Sequence, residues 1–232
     1  MSEKGSTSAR RGRPPRSRTQ LEISRELVID AARKLFRAEG YEGVSMRKIA
    51  HEAGCSASAI YIYFQNKRQI LHVLWESVFT DLTVQVARCH AAAPPSGRIE
   101  AMSLAYIDFW LSRPDDFRSI FLVEDKPETA IEGYFVDQSA VVPELDIFRD
   151  AIAEAQARGE IVAGDPEELK NVLLCAFHGL ALNLLTIPEY GWGSPDRLRD
   201  YTVRMLIAGM APRPHHPGRP DTPNSQLQRK GK

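Results

Sequence analysis

Apolar residues recur three and four positions apart along most of the chain. Nowhere do β-branched residues alternate with polar ones between hairpin turns, so the folded part reads as all-α. The first such stretch runs from about Leu21 to Glu39. It sets Leu27, Val28, Ala31, Leu35 and Phe36 on one face and stops at Gly40, a residue suited to ending a helix. Ser45 can cap a short second helix that carries Met46, Ile49, Ala50 and Ala53 and ends at Gly54. Ser56 can cap a third, with Ile60 and Phe64 four apart on its inner face. Asn66 followed by Gln69 forms a capping-box pattern that opens a long fourth helix, whose Ile70, Val73, Leu74, Phe79, Leu82 and Val86 supply apolar faces until Pro94 and Pro95.

Further helices are expected at about 97–112, 115–123, 143–158, 166–186 and 195–210, with Pro114, Pro143, Pro166 and Pro195 in first-turn positions. The stretch "EDKPETAIEGYFVDQ" is read as a loop. Residues 1–20 and 212–232 hold almost nothing apolar and are expected to be disordered, the first as a basic arm. Between them, three short helices at 21–68 make one compact unit and 69–211 a larger helical one.

Charge changes this picture. The formal net charge is zero, yet residues 1–70 hold 14 Lys and Arg against 7 Asp and Glu, while the rest of the chain holds 16 against 23. A basic module joined to an acidic body suits a polyanion binder with a separate second task. Cys55, Cys89 and Cys175 are scattered and read as small buried hydrophobes, with neither a disulfide framework nor a thiolate metal site. His215 and His216 are adjacent but lack companion ligands, so neither metal nor cofactor is expected. No uninterrupted apolar run approaches the ~18–20 residues of a membrane span, and the arginine-rich start lacks a secretory apolar core, so a cytoplasmic location is expected. Without a Gly-rich phosphate loop, a GxSxG motif or a nucleophile with a base, an enzyme is not expected.

The run "GCSASAIYIYFQNK" joins the second and third helices at a glycine and opens the third with small residues, the pattern of a helix-turn-helix. Ser56, Ala57, Ser58 and Ala59 would then form the turn nearest the base edges. Alanine can touch a thymine methyl and serine either kind of base, whereas a bidentate guanine contact needs a long cation, for which Arg47 is the candidate. Lys48 faces solvent or phosphate. Tyr61 and Tyr63, two apart, are expected to flank the groove with hydroxyls on phosphates. Lys67 in a helix's first turn opposes the macrodipole, a cost of a few tenths of a kcal/mol that a bound phosphate would reverse.

Residues 27–71 resemble the N-terminal domain of the TetR family of transcription regulators. The likeness rests on Ala31-Ala32, Leu35-Phe36, Gly40-Tyr41, Ile49-Ala50, Ala53-Gly54 and the Tyr61-x-x-Phe64-x-x-Lys67 pattern. It differs in having Cys55, Ser58 and Ala59 where valine, glycine or proline, and threonine are frequent. The resemblance implies a homodimeric regulator, most simply a repressor, that reads a palindromic operator through Ser45, Arg47, Lys48, Ser56 to Ala59, Tyr61, Tyr63 and Lys67. It also implies that 69–211 binds an effector and dimerises. A sequence-tolerant architectural DNA binder is the alternative reading.

Three further expectations concern the flanks and the body. Arg11 and Arg13 lie in an Arg-Gly-Arg-Pro segment that resembles an AT-hook core suited to the minor groove. Tyr106, Phe109, Trp110, Phe117, Phe121, Phe148, Phe177 and His178 could line a pocket for a largely apolar small molecule, or be core. Ala176, Gly179 and Asn183 form a small-residue stripe, with Leu198, Tyr201 and Met205 nearby, which in the resemblance pair two copies across a twofold axis. Asp108 and Asp116 are expected to face solvent.

Overall fold

The computed structural model describes residues 18–127 and 133–212, with side chains from residue 25 onward. No described residue lies in a strand. Among the described residues ten α-helices follow one another: α1 (Arg18–Gly43), α2 (Met46–Glu52), α3 (Ala57–Ile60), α4 (Lys67–Ala92), α5 (Arg98–Ser112), α6 (Pro114–Phe121), α7 (Phe135–Gln138), α8 (Ile147–Ala157), α9 (Pro166–Thr186) and α10 (Pro195–Met210). The described chain forms two compact units. One takes the residues up to Val84 together with Phe109–Glu144, and the other takes Gln85–Asp108 and the residues from Leu145. The expected boundary at residues 68 and 69 therefore falls inside the first unit.

Local chemistry fixes the helix ends in the first unit. Gly40 interrupts α1 with φ +72°, a left-handed conformation that disfavours any side chain, so the regular helix stops there as expected. Replacing Gly40 by alanine is expected to destabilise the chain by about 1 kcal/mol, read from denaturant midpoints. An added Cβ would meet nothing within 4 Å, so the cost is purely conformational. Ser45 Oγ caps α2 by accepting from Lys48 N at 3.3 Å, and Ser56 Oγ caps α3 by accepting from Ala59 N at 3.2 Å. Between them Gly54, at φ +65°, turns the chain. Asn66 Oδ1 accepts from Gln69 N at 2.9 Å, while Gln69 Oε1 reaches back to Gln65 N at 2.8 Å, one residue earlier than a standard capping box.

These helices close over Val28, Ala32, Ile49, Ile60, Phe64 and Ile70. A fully sealed isoleucine such as Ile49 or Ile60 contributes about 1.5–3 kcal/mol by burial. Leu27, expected on the inner face, is exposed, and Ile29 is buried instead. Farther along the unit, the loop read from the sequence is clipped to α4. Asp125 accepts from Arg68 Nε at 2.7 Å, from Phe135 N at 2.6 Å and pairs with His72 Nε2 at 2.9 Å. Burial pushes the Asp125 carboxyl up, but the hydrogen bonds from Phe135 N, His72 and Arg68 outweigh it and hold the group below the usual carboxylate range. The short α7 inside this segment was not anticipated by the pattern. Its Phe135 packs edge-on to Trp75 with ring centroids 5.3 Å apart.

In the second unit α8 packs on α9 and α9 on α10. Lys170 is buried yet charged, because Asp146 at 2.8 Å and Glu167 at 2.7 Å accept hydrogen bonds from its ammonium. Pro143 opens a 3-10 turn over Val142–Asp146 instead of the first turn of α8, which starts at Ile147. The other three prolines stand at first-turn positions of α6, α9 and α10 as expected. Two carboxylates expected in solvent are engaged instead: Asp108 with Arg199 at 2.5 Å and Asp116 with Arg37 at 3.1 Å. None of the three cysteines is fully buried, and Cys175 is exposed.

Candidate nucleic-acid interface

The first turn of α3 is presented outward. Ser56, Ala57 and Ser58 are exposed, Ala59 is half-buried and Ile60 is sealed beneath them. The helix therefore offers three small side chains at its tip while its far end is anchored in the core. Ala59 does not share the outward position expected for it, because the helical turn rotates it toward the core. Tyr61 remains 55% exposed and Ile62 69% exposed in the turn that follows. An outward isoleucine beside the tip was missed by sequence reasoning, since nothing in its type separates it from the core isoleucines on either side.

The cations divide by what they already hold. Arg47 is exposed and makes no ion pair or hydrogen bond among the described residues, so its guanidinium is available. Lys48 is bound to the Glu39 carboxylate and donates to Gly43 O at 3.0 Å, serving the end of α1. Lys67 donates to Tyr41 O at 3.0 Å, pairs with Glu42 at 3.5 Å and lies 4.1 Å from the centroid of the Tyr41 ring. Its unfavourable place in the first turn of α4 is thus answered from within the fold by a carbonyl, a carboxylate and a π-face. Ser45 Oγ is likewise engaged as a cap.

Tyr63 departs from its expected role. Its hydroxyl is buried and without a hydrogen-bond partner among the described residues, and its ring packs against the core of the first unit. In this arrangement it cannot reach a phosphate. Arg11 and Arg13 lie outside the described residues.

Residues 28–74 match the profile described as "Bacterial regulatory proteins, tetR family". That stretch begins at the sealed Val28 of α1 and runs through α2 and α3 into α4. Over this stretch the chain carries a helix-turn-helix domain of the TetR type. Tetracycline repressor protein class C of Escherichia coli is 38% identical over 58 residues, 25% of this chain and 26% of that protein. The nicotine-responsive transcriptional repressor HdnoR of Paenarthrobacter nicotinovorans is 29% identical over 93 residues, 40% of this chain and 46% of that one. The chain thus spans between a quarter and a half of the length of these relatives. A solved regulator of the TetR/AcrR family from Thermobifida fusca aligns over 81% of this chain and 98% of its own, with a TM-score of 0.59 and 25% identity.

The eight residues considered as a pocket divide between the two units. Phe109, Trp110, Phe117 and Phe121 belong to the first unit, where Trp110 is fully sealed. Its ring lies 5.1 Å from Phe109, 5.8 Å from Phe117 and 5.1 Å from Phe121, centroid to centroid. Tyr106, Phe148, Phe177 and His178 belong to the second, with Tyr106 edge-on to Phe148 at 6.0 Å and tilted against Phe177 at 5.9 Å. Rings at these separations fill space as a packed core does. None of the eight borders the cavity described below.

His178 is the one group among them whose chemistry is displaced. Burial pulls its imidazole down from 6.5 to about 4, and its Nε2 accepts from the Tyr106 hydroxyl at 2.5 Å in the neutral form. An unfolded chain binds a proton here below pH 6.5, whereas the folded chain refuses it until about pH 4. Stability contributed by neutral His178 is therefore full above pH 6.5 and is lost as pH falls toward 4, by on the order of 3 kcal/mol. Denaturant titrations across that window are expected to show a shallower loss in a His178→Gln variant.

On α9, Ala176 and Gly179 are half-buried, and a Cβ added at Gly179 would meet nothing within 4 Å. Asn183 donates to Gly179 O at 2.7 Å, so its amide serves its own helix. Leu198 is half-buried, while Tyr201 and Met205 on α10 and Val172 and Leu182 on α9 are exposed. By length and composition α9 could cross a membrane, with a mean hydropathy of 1.4 over its best window, of which 22% is buried. Its apolar run is nonetheless interrupted by Asn171, His178 and Asn183, and one helix of this composition does not indicate a membrane protein.

Proposed function

We propose that this TetR-family regulator is a repressor that binds a palindromic operator as a homodimer and releases it when a small molecule binds. The observation that carries the reading is the outward tip of α3, three small exposed side chains beside an unengaged Arg47 and an exposed Tyr61. Such a tip admits a duplex closely, reads it sparingly through Ser58 and Ala57, and leaves Arg47 for a guanine edge or phosphate. Tyr61 fits a flanking phosphate. Lys48 and Lys67 support the frame of the domain more directly than they reach DNA.

Pairing is supported by the large apolar side chains Val172, Leu182, Tyr201 and Met205 that α9 and α10 leave exposed, since exposed apolar surface marks interaction sites. A second copy across a twofold axis would cover it and match an operator's symmetry. The exposed apolar side of α9 is read in this way, with the chain acting in the cytoplasm. A response to a small molecule is supported by family likeness, including a relative named for its response to nicotine.

Selection of duplexes from a random pool by the full chain tests the reading. Enrichment of one palindrome, with half-sites about one helical turn apart and footprinted by a dimer, is the expected result. Diffuse protection without an enriched sequence would favour a sequence-tolerant architectural binder instead. No retention of any duplex would end both readings.

A further inference from the structure

The first unit holds a cavity of about 250 Å³ between α1, α4 and α6. Its apolar wall is formed by Phe36, Leu74, Trp75, Val78, Ile120 and Val123. Trp75 is fixed there by donating Nε1–H to Ser119 Oγ at 3.2 Å. Its polar border carries Arg33, Arg37 and Arg118 against Asp115 and Asp116, an excess of one positive charge. An apolar cleft with a few convergent polar groups is the usual form of a small-molecule site, and this one lies just below the ~300 Å³ of the smaller drug-sized pockets.

We infer that this cavity binds a compact carboxylate, an apolar body about the size of a bicyclic ring with its anionic head at Arg37. Arg37 already holds a carboxylate, Asp116 at 3.1 Å, and that pair is a direct tie between α1 and α6. Its guanidinium is half-exposed and can hold two oxygens at once, so a ligand carboxylate can take the place of Asp116 in the same geometry. The exchange does not strand Asp116, because the Arg113 guanidinium already lies 3.9 Å from its carboxylate and can hold it once displaced.

The cavity also reaches the reading head. Gly40 and Tyr41 form part of its wall. The Tyr41 ring lies 5.4 Å from Phe36 on one side and 4.1 Å from the Lys67 amine on the other, and Tyr41 O accepts from the same amine. Lys67 is the first residue of α4, seven positions after the last residue of α3. A ring inserted beside Phe36 acts on Tyr41, and through Tyr41 on the joint between α3 and α4. A carboxylate at Arg37 loosens α6 from α1 in the same event. Occupancy then favours a different disposition of α3 only in proportion to how much better the ligand binds that arrangement. This regulatory consequence rests on the reading of the chain as a DNA-binding regulator, whereas the site itself does not.

The test uses the full chain with 2-naphthoate as probe and neutral 2-naphthamide as its matched control, by equilibrium dialysis. Saturable binding of 2-naphthoate is expected, weakened about tenfold by Arg37→Gln in a variant whose cooperative thermal transition is recorded beside it. The amide is expected to bind more weakly and to be indifferent to Arg37→Gln. Val78→Trp is expected to fill the cavity and exclude both probes while the cooperative thermal transition persists. Absence of saturation by about 1 mM, or binding that neither substitution alters, overturns the site. In the same samples 2-naphthoate is expected to lower retention of the selected duplex, and bound probe without that loss overturns the coupling. A chain that retains no duplex at all would instead remove the regulator reading, while the dialysis result would still decide the site.

Discussion

Glutamate in place of Ala57 is expected to weaken operator retention by at least a hundredfold while leaving the fold intact. Ala57 is exposed and is the first residue of α3, so a longer side chain there meets solvent and not the core. An acid in the first turn of a helix is favoured by the macrodipole, by about 0.3–1 kcal/mol, so stability should hold or rise slightly. The same acid at the tip would face the phosphates of a duplex and carry a desolvated charge into the groove, a repulsion that several kcal/mol of lost binding would express. Retention measured on the selected duplex, with a melting curve beside it, separates the two effects. Undiminished retention would mean that the tip of α3 does not touch DNA.

Trp110→Ala is expected to cost about 3–5 kcal/mol of stability, the range for removing a fully buried aromatic ring. Trp110 is completely sealed and stands among Phe79, Phe109, Phe117 and Phe121, so truncation leaves a void that four rings cannot collapse to fill. The measurement also distinguishes core from pocket. If these rings lined an open site, losing one would open space already wet and cost far less. A denaturant midpoint shifted by less than about 1 kcal/mol would restore the pocket reading for this cluster.

Helix ends were the most legible features of the chain, because each is decided by a side chain acting on its own neighbours. Ser45, Ser56 and Asn66 cap the helices that follow them, and Pro114, Pro166 and Pro195 open theirs, as their local chemistry requires. Pro143 fails the same rule because the ring's fixed φ suits a 3-10 turn as well as an α-helical one, and the residues after it decide between them. The segment around α7 was illegible for a related reason. What orders it is Asp125 meeting Arg68 and His72, partners more than fifty positions away in sequence.

The candidate site divides along the same line. Residue type and order alone dictated the helix-turn-helix, its glycine turn and the small-residue tip, since a close backbone approach needs small side chains wherever the helix happens to sit. Tertiary packing alone decided which polar groups at that tip are free. Lys48 and Lys67 are spent on Glu39 and on Tyr41 with Glu42, Tyr63 turns its hydroxyl inward, and Arg47 is left unengaged. It likewise decided that the aromatic residues pack as two cores and that the cavity forms elsewhere, between α1, α4 and α6. A side chain's capacity to bond is written in its chemistry, but whether that capacity is already satisfied depends on atoms brought near by the folded chain, and no local pattern records them.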